Sequence, residues 1–150
     1  MPLIAVGQDT ILFLQHPNIL TLGKNANHSG ILADQNKLSN LGVEVHKTDR
    51  GGQITYHGPG QLVAYILLNV RKRRIGARDL VQILERSMVS ALAHLGILAQ
   101  TKPNSPGVYI KNAKIGALGL RIKNGRSYHG LSLNVDMDLN PFNRINPCGF

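Results

Sequence analysis

Across 150 residues the sequence holds one cysteine, Cys148, and no tryptophan. A lone thiol excludes an intramolecular disulfide framework and a cysteine-rich zinc site, so any task for Cys148 is chemical. Acidic residues are scarce too: 8 Asp and Glu stand against 17 Lys and Arg, leaving a formal charge of +9 with neutral histidines. Long apolar runs are missing. The longest, Leu62 to Leu68, has the length of a strand and falls far short of the roughly 18 residues of a membrane span. Met1 to Gly7 carries no basic flank and meets Gln8 and Asp9 before reaching export length, so no signal peptide is expected and the default compartment is the cytoplasm. Repeats, low-complexity tracts and flexible linkers are absent, and the length fits one domain. What is present is an ordinary globular balance, 43% hydrophobic residues, which excludes a disordered chain.

The positive charge is uneven. Arg71, Lys72, Arg73 and Arg74 are consecutive and Arg78 follows, with Asp79 and Glu85 nearby. Such a run calls for an anionic partner: nucleic acid, an acidic protein, or simply solvent. No recognised nucleic-acid motif or clustered base-stacking aromatics accompany it. Short apolar segments at Ile11–Gln15, Asn18–Leu22, Val43–Lys47 and Gln61–Val70 predict strands. From Ala77 to Leu95, Leu80, Ile83, Leu84, Met88, Ala91, Leu92 and Leu95 recur at three- and four-residue spacing, an amphipathic helix stopped by Gly96. Strand-like segments follow at 97–101, 107–111, 114–123 and 127–135. Asn124-Gly125 joins the last two as a type I′ hairpin. Strands, one long helix, then strands without βαβ alternation predict an α+β fold with a mixed or mainly antiparallel sheet.

The densest unusual segment is Arg50-Gly51-Gly52-Gln53-Ile54-Thr55-Tyr56-His57-Gly58-Pro59-Gly60-Gln61, with four glycines in twelve residues. Glycines let backbone approach a ligand closely, and Arg50, Thr55, Tyr56 and His57 supply more polar groups than a simple turn needs. It matches neither a Walker loop nor the Rossmann glycine spacing. Cys148, between Pro147 and Gly149, suits an exposed turn, and its thiolate would need a nearby base. Lys114, before Ile115-Gly116-Ala117-Leu118-Gly119, and His129, beside Gly130, are the candidates for that base. His16, His28, His46 and His94 show no spacing that suggests a metal site or a shared function, and no metal is expected.

Together RGGQITYHGPGQ at 50–61, PGVYIKNAKIGALGLRI at 106–122, SYHGLSLNVDMDL at 127–139 and PFNRINPCG at 141–149 resemble the octanoyltransferases of lipoate biosynthesis. That resemblance implies a fold similar to the biotin and lipoate protein ligase catalytic domain. It reads 1–150 as a single acyltransferase catalytic domain, lacking the family's C-terminal region and part of its N-terminal region. By the same resemblance, Cys148 is the acyl-thioester cysteine and Lys114 the lysine that tunes it. Arg50, Gly51, Gly52, Gln53, Ile54, Thr55, Tyr56 and His57 match the walls of an acyl pocket, as do Ala117, Leu118, Gly119, Gly130, Leu131 and Ser132. The implied reaction moves an octanoyl group from the phosphopantetheine of acyl carrier protein to a lysine of lipoyl domains, those of 2-oxoacid dehydrogenase complexes and of the glycine cleavage H protein. No cofactor, nucleic acid or membrane is required, and the basic run becomes a docking patch for acidic proteins. Two other readings remain open: an ATP-dependent lipoate ligase-like enzyme, and a shortened module that binds without turning over.

Overall fold

The structure, a computed structural model, describes residues 8–26, 30–32, 38, 40 and 42–145; Cys148 and His28 lie outside the described residues. Two sheets carry the fold. The larger has six strands in the order β1 (Thr10–Leu14), β5 (Gln61–Leu67), β9 (Arg126–Asn134), β8 (Ala113–Lys123), β7 (Ser105–Ile110) and β6 (Gln100–Lys102), each antiparallel to its neighbour. The smaller places β2 (Ile19–Leu22) between β3 (Glu44–Lys47), which runs parallel, and β4 (Ile54–His57), which runs antiparallel. The mixed pairing follows from the connections, since β2 and β3 are separated by a long excursion whereas β4 returns through the glycine-rich loop.

Helix α1 (Ala77–His94) packs against β6, β7 and β8. Its N-terminus is closed by Asp79, whose carboxylate accepts the Gly76 amide at 2.8 Å. At its end Gly96 takes φ +76° and the Ile97 and Gly96 amides return to Leu92 and Ala93, a Schellman closure. Leu80, Leu84, Met88 and Leu92 form the buried stripe, each worth roughly 1.5–3 kcal/mol of apolar burial. The stripe is narrower than periodicity predicts, because Ile83 and Ala91 face outward and Leu95 is 75% exposed. Glu85 turns inward instead and accepts the Gly107 amide at 2.7 Å, capping a donor that β7 leaves unpaired.

Under α1 the sheet presents Ala64, Ile66, Leu118, Leu131 and Leu133. A second core lies on the far side of the small sheet, where Leu20, Leu22, Ile54 and Tyr56 meet Val43, Phe142 and Ile145. Alternation along β2 and β4 therefore turns Thr21, Thr55 and His57 the other way, toward the face of the large sheet that α1 does not cover. Among the described residues no helix is long and apolar enough to cross a membrane.

Candidate active site

The interval between the sheets is closed by Arg50, only 8% exposed. Its Nε and Nη2 donate to Thr21 Oγ1 at 3.0 and 2.9 Å, Nη2 also to the carbonyls of Thr21 and Gln53 at 2.7 Å, and Nη1 to the Gly51 carbonyl at 2.9 Å. These bonds tie the 50–53 loop to β2. The Gly51 amide donates to the Leu120 carbonyl at 2.9 Å, which fastens the same loop to β8. Burial pulls the guanidinium down to about 10, yet its hydrogen bonds go to carbonyl and hydroxyl oxygens, and among the described residues no carboxylate pairs with it. The cleft consequently keeps an uncancelled positive charge.

Facing the small sheet is the side of β8 and β9 that α1 does not cover, where Ala117 pairs with Ser132 and Gly119 with Gly130. A Cβ on Gly119 would stand 3.0 Å from Arg50 Cδ, so the missing side chain is what lets the loop lie on the strand. At Gly130 a Cβ would strike the Ala64 carbonyl, so that glycine is demanded by the neighbouring strand rather than by a ligand. Leu118 and Leu131, on the other parity, pack beneath α1. Ile54 and Tyr56 likewise point into the small-sheet core, while Gly52 lies at the surface. Of the expected pocket residues, Arg50, Gly51, Gln53, Thr55, His57, Ala117, Gly119, Gly130 and Ser132 belong to the elements that border the cleft.

One end of that side is shaped by His129, whose φ of +60° breaks the β5–β9 ladder. Ser127 repairs the gap: its hydroxyl accepts the Leu68 amide at 3.0 Å and donates to the Ile66 carbonyl at 2.6 Å. The turned ring donates from Nε2 to Asp49 at 2.9 Å, and the Tyr128 hydroxyl donates to the same carboxylate at 2.6 Å. Those bonds, that from His129 foremost, hold Asp49 down to about 2. His129 Nε2 is thereby committed to Asp49.

Beside it, with the Tyr65 ring edge-on to His129 at 6.4 Å, lies a cluster that residue spacing does not reveal. His16 Nε2 lies 2.6 Å from the Tyr65 hydroxyl, and the His16 and His57 rings are 5.6 Å apart. His57 Nδ1 is 2.6 Å from Gln61 Oε1, while Gln61 Nε2 donates to Asn134 Oδ1 at 2.8 Å. Burial, assisted by His16 and Arg50, pushes His57 down to about 4 against the opposing bond from Gln61. His16, which spacing along the chain sets apart from the other histidines, lies just beyond β1, whose antiparallel pairing with β5 brings it beside Tyr65 and His57.

Lys114 reaches the uncovered face by a register shift. Simple alternation would put it on the α1 side with Gly116 and Leu118, but a bulge between Val108 and Tyr109 intervenes. Ile115 and Gly116 both face the helix core, and Lys114 Nζ stands 5.4 Å from the Tyr109 ring. A shallow depression along the outer side of α1, lined by Ile83, Arg86, Ser87, Ser90, Ala91 and His94, lies away from all these groups. Among the described residues no group of three or more His, Cys, Asp or Glu could hold a metal ion.

The two-sheet α+β fold is shared with lipoate-protein ligases of known structure. Lipoate-protein ligase A bound with ATP superposes with a TM-score of 0.79 at 16% identity, over 92% of this chain and 58% of that one. The description "Lipoyl protein ligase A/B catalytic domain" matches residues 4–150, and the chain belongs to that family. Relatives named octanoyltransferase are 52% identical over 95% of this chain in Pseudomonas entomophila and 54% identical over 95% in Stutzerimonas stutzeri. The chain spans 64% and 62% of their lengths.

Proposed function

We infer that the protein transfers an octanoyl group from octanoyl-acyl carrier protein to a lysine amine of lipoyl domains, through a thioester on Cys148, in the cytoplasm. The observation that carries this reading is the buried Arg50 cation, held by carbonyl and hydroxyl oxygens between the sheets, in a chain about half identical to proteins named octanoyltransferase. The family match runs to residue 150 and so includes Cys148.

The chemistry follows from the residue types. Attack of the Cys148 thiolate on an octanoyl thioester exchanges one thioester for another, so no nucleotide or other cofactor is needed to activate the acid. Lys114 takes the thiol proton and returns it to the departing phosphopantetheine thiol. The buried Arg50 charge favours both thiolate and oxyanion, which are anionic in a poorly solvated place. In the second half-reaction a lysine amine attacks acyl-Cys148, and the amide formed is more stable than the thioester, which makes transfer one-way.

Acidic carrier and acceptor proteins suit the basic surface. Arg71, Lys72, Arg73 and Arg74 are exposed in the turn after β5, where the Arg71 amide donates to the Gly125 carbonyl and brings the run beside Lys123 and Arg126 of the hairpin. Asp9 engages Arg73 at 2.7 Å and leaves the rest of the run in excess. Tyr65 and Gly130 lie about four residues along β5 and β9 from this end, roughly 13 Å, a distance a flexible prosthetic arm can span.

Intact-mass analysis after incubation with octanoyl-acyl carrier protein, without ATP, tests the reading. One octanoyl adduct removed by hydroxylamine and absent from Cys148→Ser is expected. An adduct of equal size on both proteins would remove Cys148 from the mechanism. Modification requiring free octanoate and ATP would make it a ligase instead.

A further inference from the structure

Glu85 is the one acidic residue on the buried stripe of α1, and it is 9% exposed. It lies between Leu84 and Met88, and none of the ion pairs among the described residues includes it. An apolar side chain would continue the stripe without desolvating a carboxyl group, so what Glu85 supplies is an acceptor oxygen. That oxygen, Oε1, accepts the Gly107 amide at 2.7 Å.

The consequence lies on the opposite face of the sheet. Gly107 has φ +136°, and a Cβ on it would stand 2.8 Å from the Gly116 carbonyl oxygen, 3.1 Å from Lys114 Cε and 3.3 Å from Lys114 Cδ. The stem of Lys114 therefore lies across bare backbone that only glycine can offer. Its ammonium reaches the Tyr109 ring, 5.4 Å from the centroid. That ring is itself fixed: Tyr109 is 5% exposed, and its hydroxyl lies 2.6 Å from Ser105 Oγ and donates to the Ser105 carbonyl at 3.2 Å. Tyr109 pairs with Lys114 and Val108 with Gly116, and the bulge between these pairs turns Lys114 to this side. Gly107, the residue before Val108, is held at the bulge from the helix side by Glu85.

We propose that Glu85 is a positioning residue for Lys114: by fixing the Gly107 amide it holds the bulge between β7 and β8, and with it the stem that carries the Lys114 amine. The proposal rests on the octanoyl-transfer reading above for the task of that amine, proton transfer, and on the contacts alone for its placement. Glu85 itself touches no substrate. Without its acceptor oxygen the Gly107 amide is left buried and unpaired, so β7 shifts toward another acceptor and takes the bulge with it. The flexible lysine stem is then free to turn, and the amine spends a smaller share of its time where it works.

Two measurements on the full chain test this. In protein labelled with carbon-13 lysine, the Tyr109 ring should displace the Lys114 Cε proton signals from the position of an exposed lysine, and their loss in Lys114→Arg identifies them. Glu85→Met removes the acceptor at nearly constant volume and should return those signals to the exposed position, whereas Glu85→Gln keeps an acceptor oxygen and should hold them in place. Glu85→Asp draws the carboxylate back by one methylene and should act like Glu85→Met, which decides the matter should the methionine variant not fold. In single-turnover acylation by octanoyl-pantetheine, Glu85→Met should slow adduct formation about tenfold, and less than about twofold where Lys114 is already alanine. Unmoved Lys114 signals in folded Glu85→Met or Glu85→Asp, or equal slowing in both backgrounds, would overturn the assignment. A wild-type protein that forms no adduct would overturn the octanoyl-transfer reading instead, and the Lys114 signals would still decide whether Glu85 positions that side chain.

Discussion

Burial of His57 should make the fold acid-sensitive in a defined window. The ring titrates at about 4 in the folded protein against 6.5 when unperturbed, because burial disfavours its charged form. Between those values the unfolded chain binds a proton that the folded one refuses, so stability rises with pH across the window and is lost as pH falls from 6.5 to 4. At about 1.4 kcal/mol per pH unit the difference amounts to about 3 kcal/mol. His16, lowered by burial as well, acts in the same direction. Asp49 acts lower: held at about 2, it contributes stability above 3.8 that disappears as pH falls toward 2. The perturbation is His57→Gln, which keeps a polar side chain and takes up no proton. Urea unfolding at half-unit steps from pH 7 to 4.5 should show the wild type losing most of those 3 kcal/mol and the variant a clearly flatter profile. Parallel profiles would refute the claim that this histidine is held neutral by its surroundings.

Arg50→Ala removes a donor from the buried Thr21 carbonyl and from the part-buried Gly51 and Gln53 carbonyls, at about 1–3 kcal/mol each, offset by about 3 kcal/mol no longer spent desolvating a cation. At about 2 kcal/mol for each carbonyl the net loss is about 3 kcal/mol, visible as a melting midpoint lower by roughly 6–12 °C. Gly60→Ala should cost at least about 2 kcal/mol in chemical denaturation, since φ is +81° and the new Cβ would strike the Asp136 carbonyl. Neutralising Arg71, Lys72, Arg73 and Arg74 should slow Cys148 acylation by octanoyl-acyl carrier protein more than by octanoyl-pantetheine, and the gap should close as salt rises. Equal losses with both donors in that stopped-time assay would place the run's importance in the fold.

Local signals were the legible ones. Helix α1 and its Gly96 stop follow from spacing, and the 124–125 hairpin shows positive φ at both central residues, 53° and 77°, as a type I′ turn requires. Strand β4 was hidden because its four residues sit between glycines that read as loop. The strand expected to reach Val70 ends at Leu67, its last partner in β1, two residues after its ladder with β9 stops at Tyr65 beside the turned backbone of His129. Non-local events carried the rest. The bulge that moves Lys114 to the uncovered face depends on how β7 meets β8, and Glu85 faces inward because Gly107 offers a buried amide. His16 meets Tyr65 through strand pairing across about fifty residues, which no spacing rule along the chain can encode. The residues expected to wall the pocket were divided by parity, so Leu118 and Leu131 serve the core while Ala117 and Ser132 face the cleft.

The most direct test of the account is formation of the product amide. The full chain, octanoyl-acyl carrier protein and a lipoyl domain, mixed without any nucleotide, should place one octanoyl group on the acceptor lysine as a hydroxylamine-resistant amide, located by peptide mass spectrometry. Cys148→Ser should yield none. Amide formed at the same rate by that variant, or formed by the wild type only when ATP and free octanoate are supplied, would contradict transfer through a cysteine thioester.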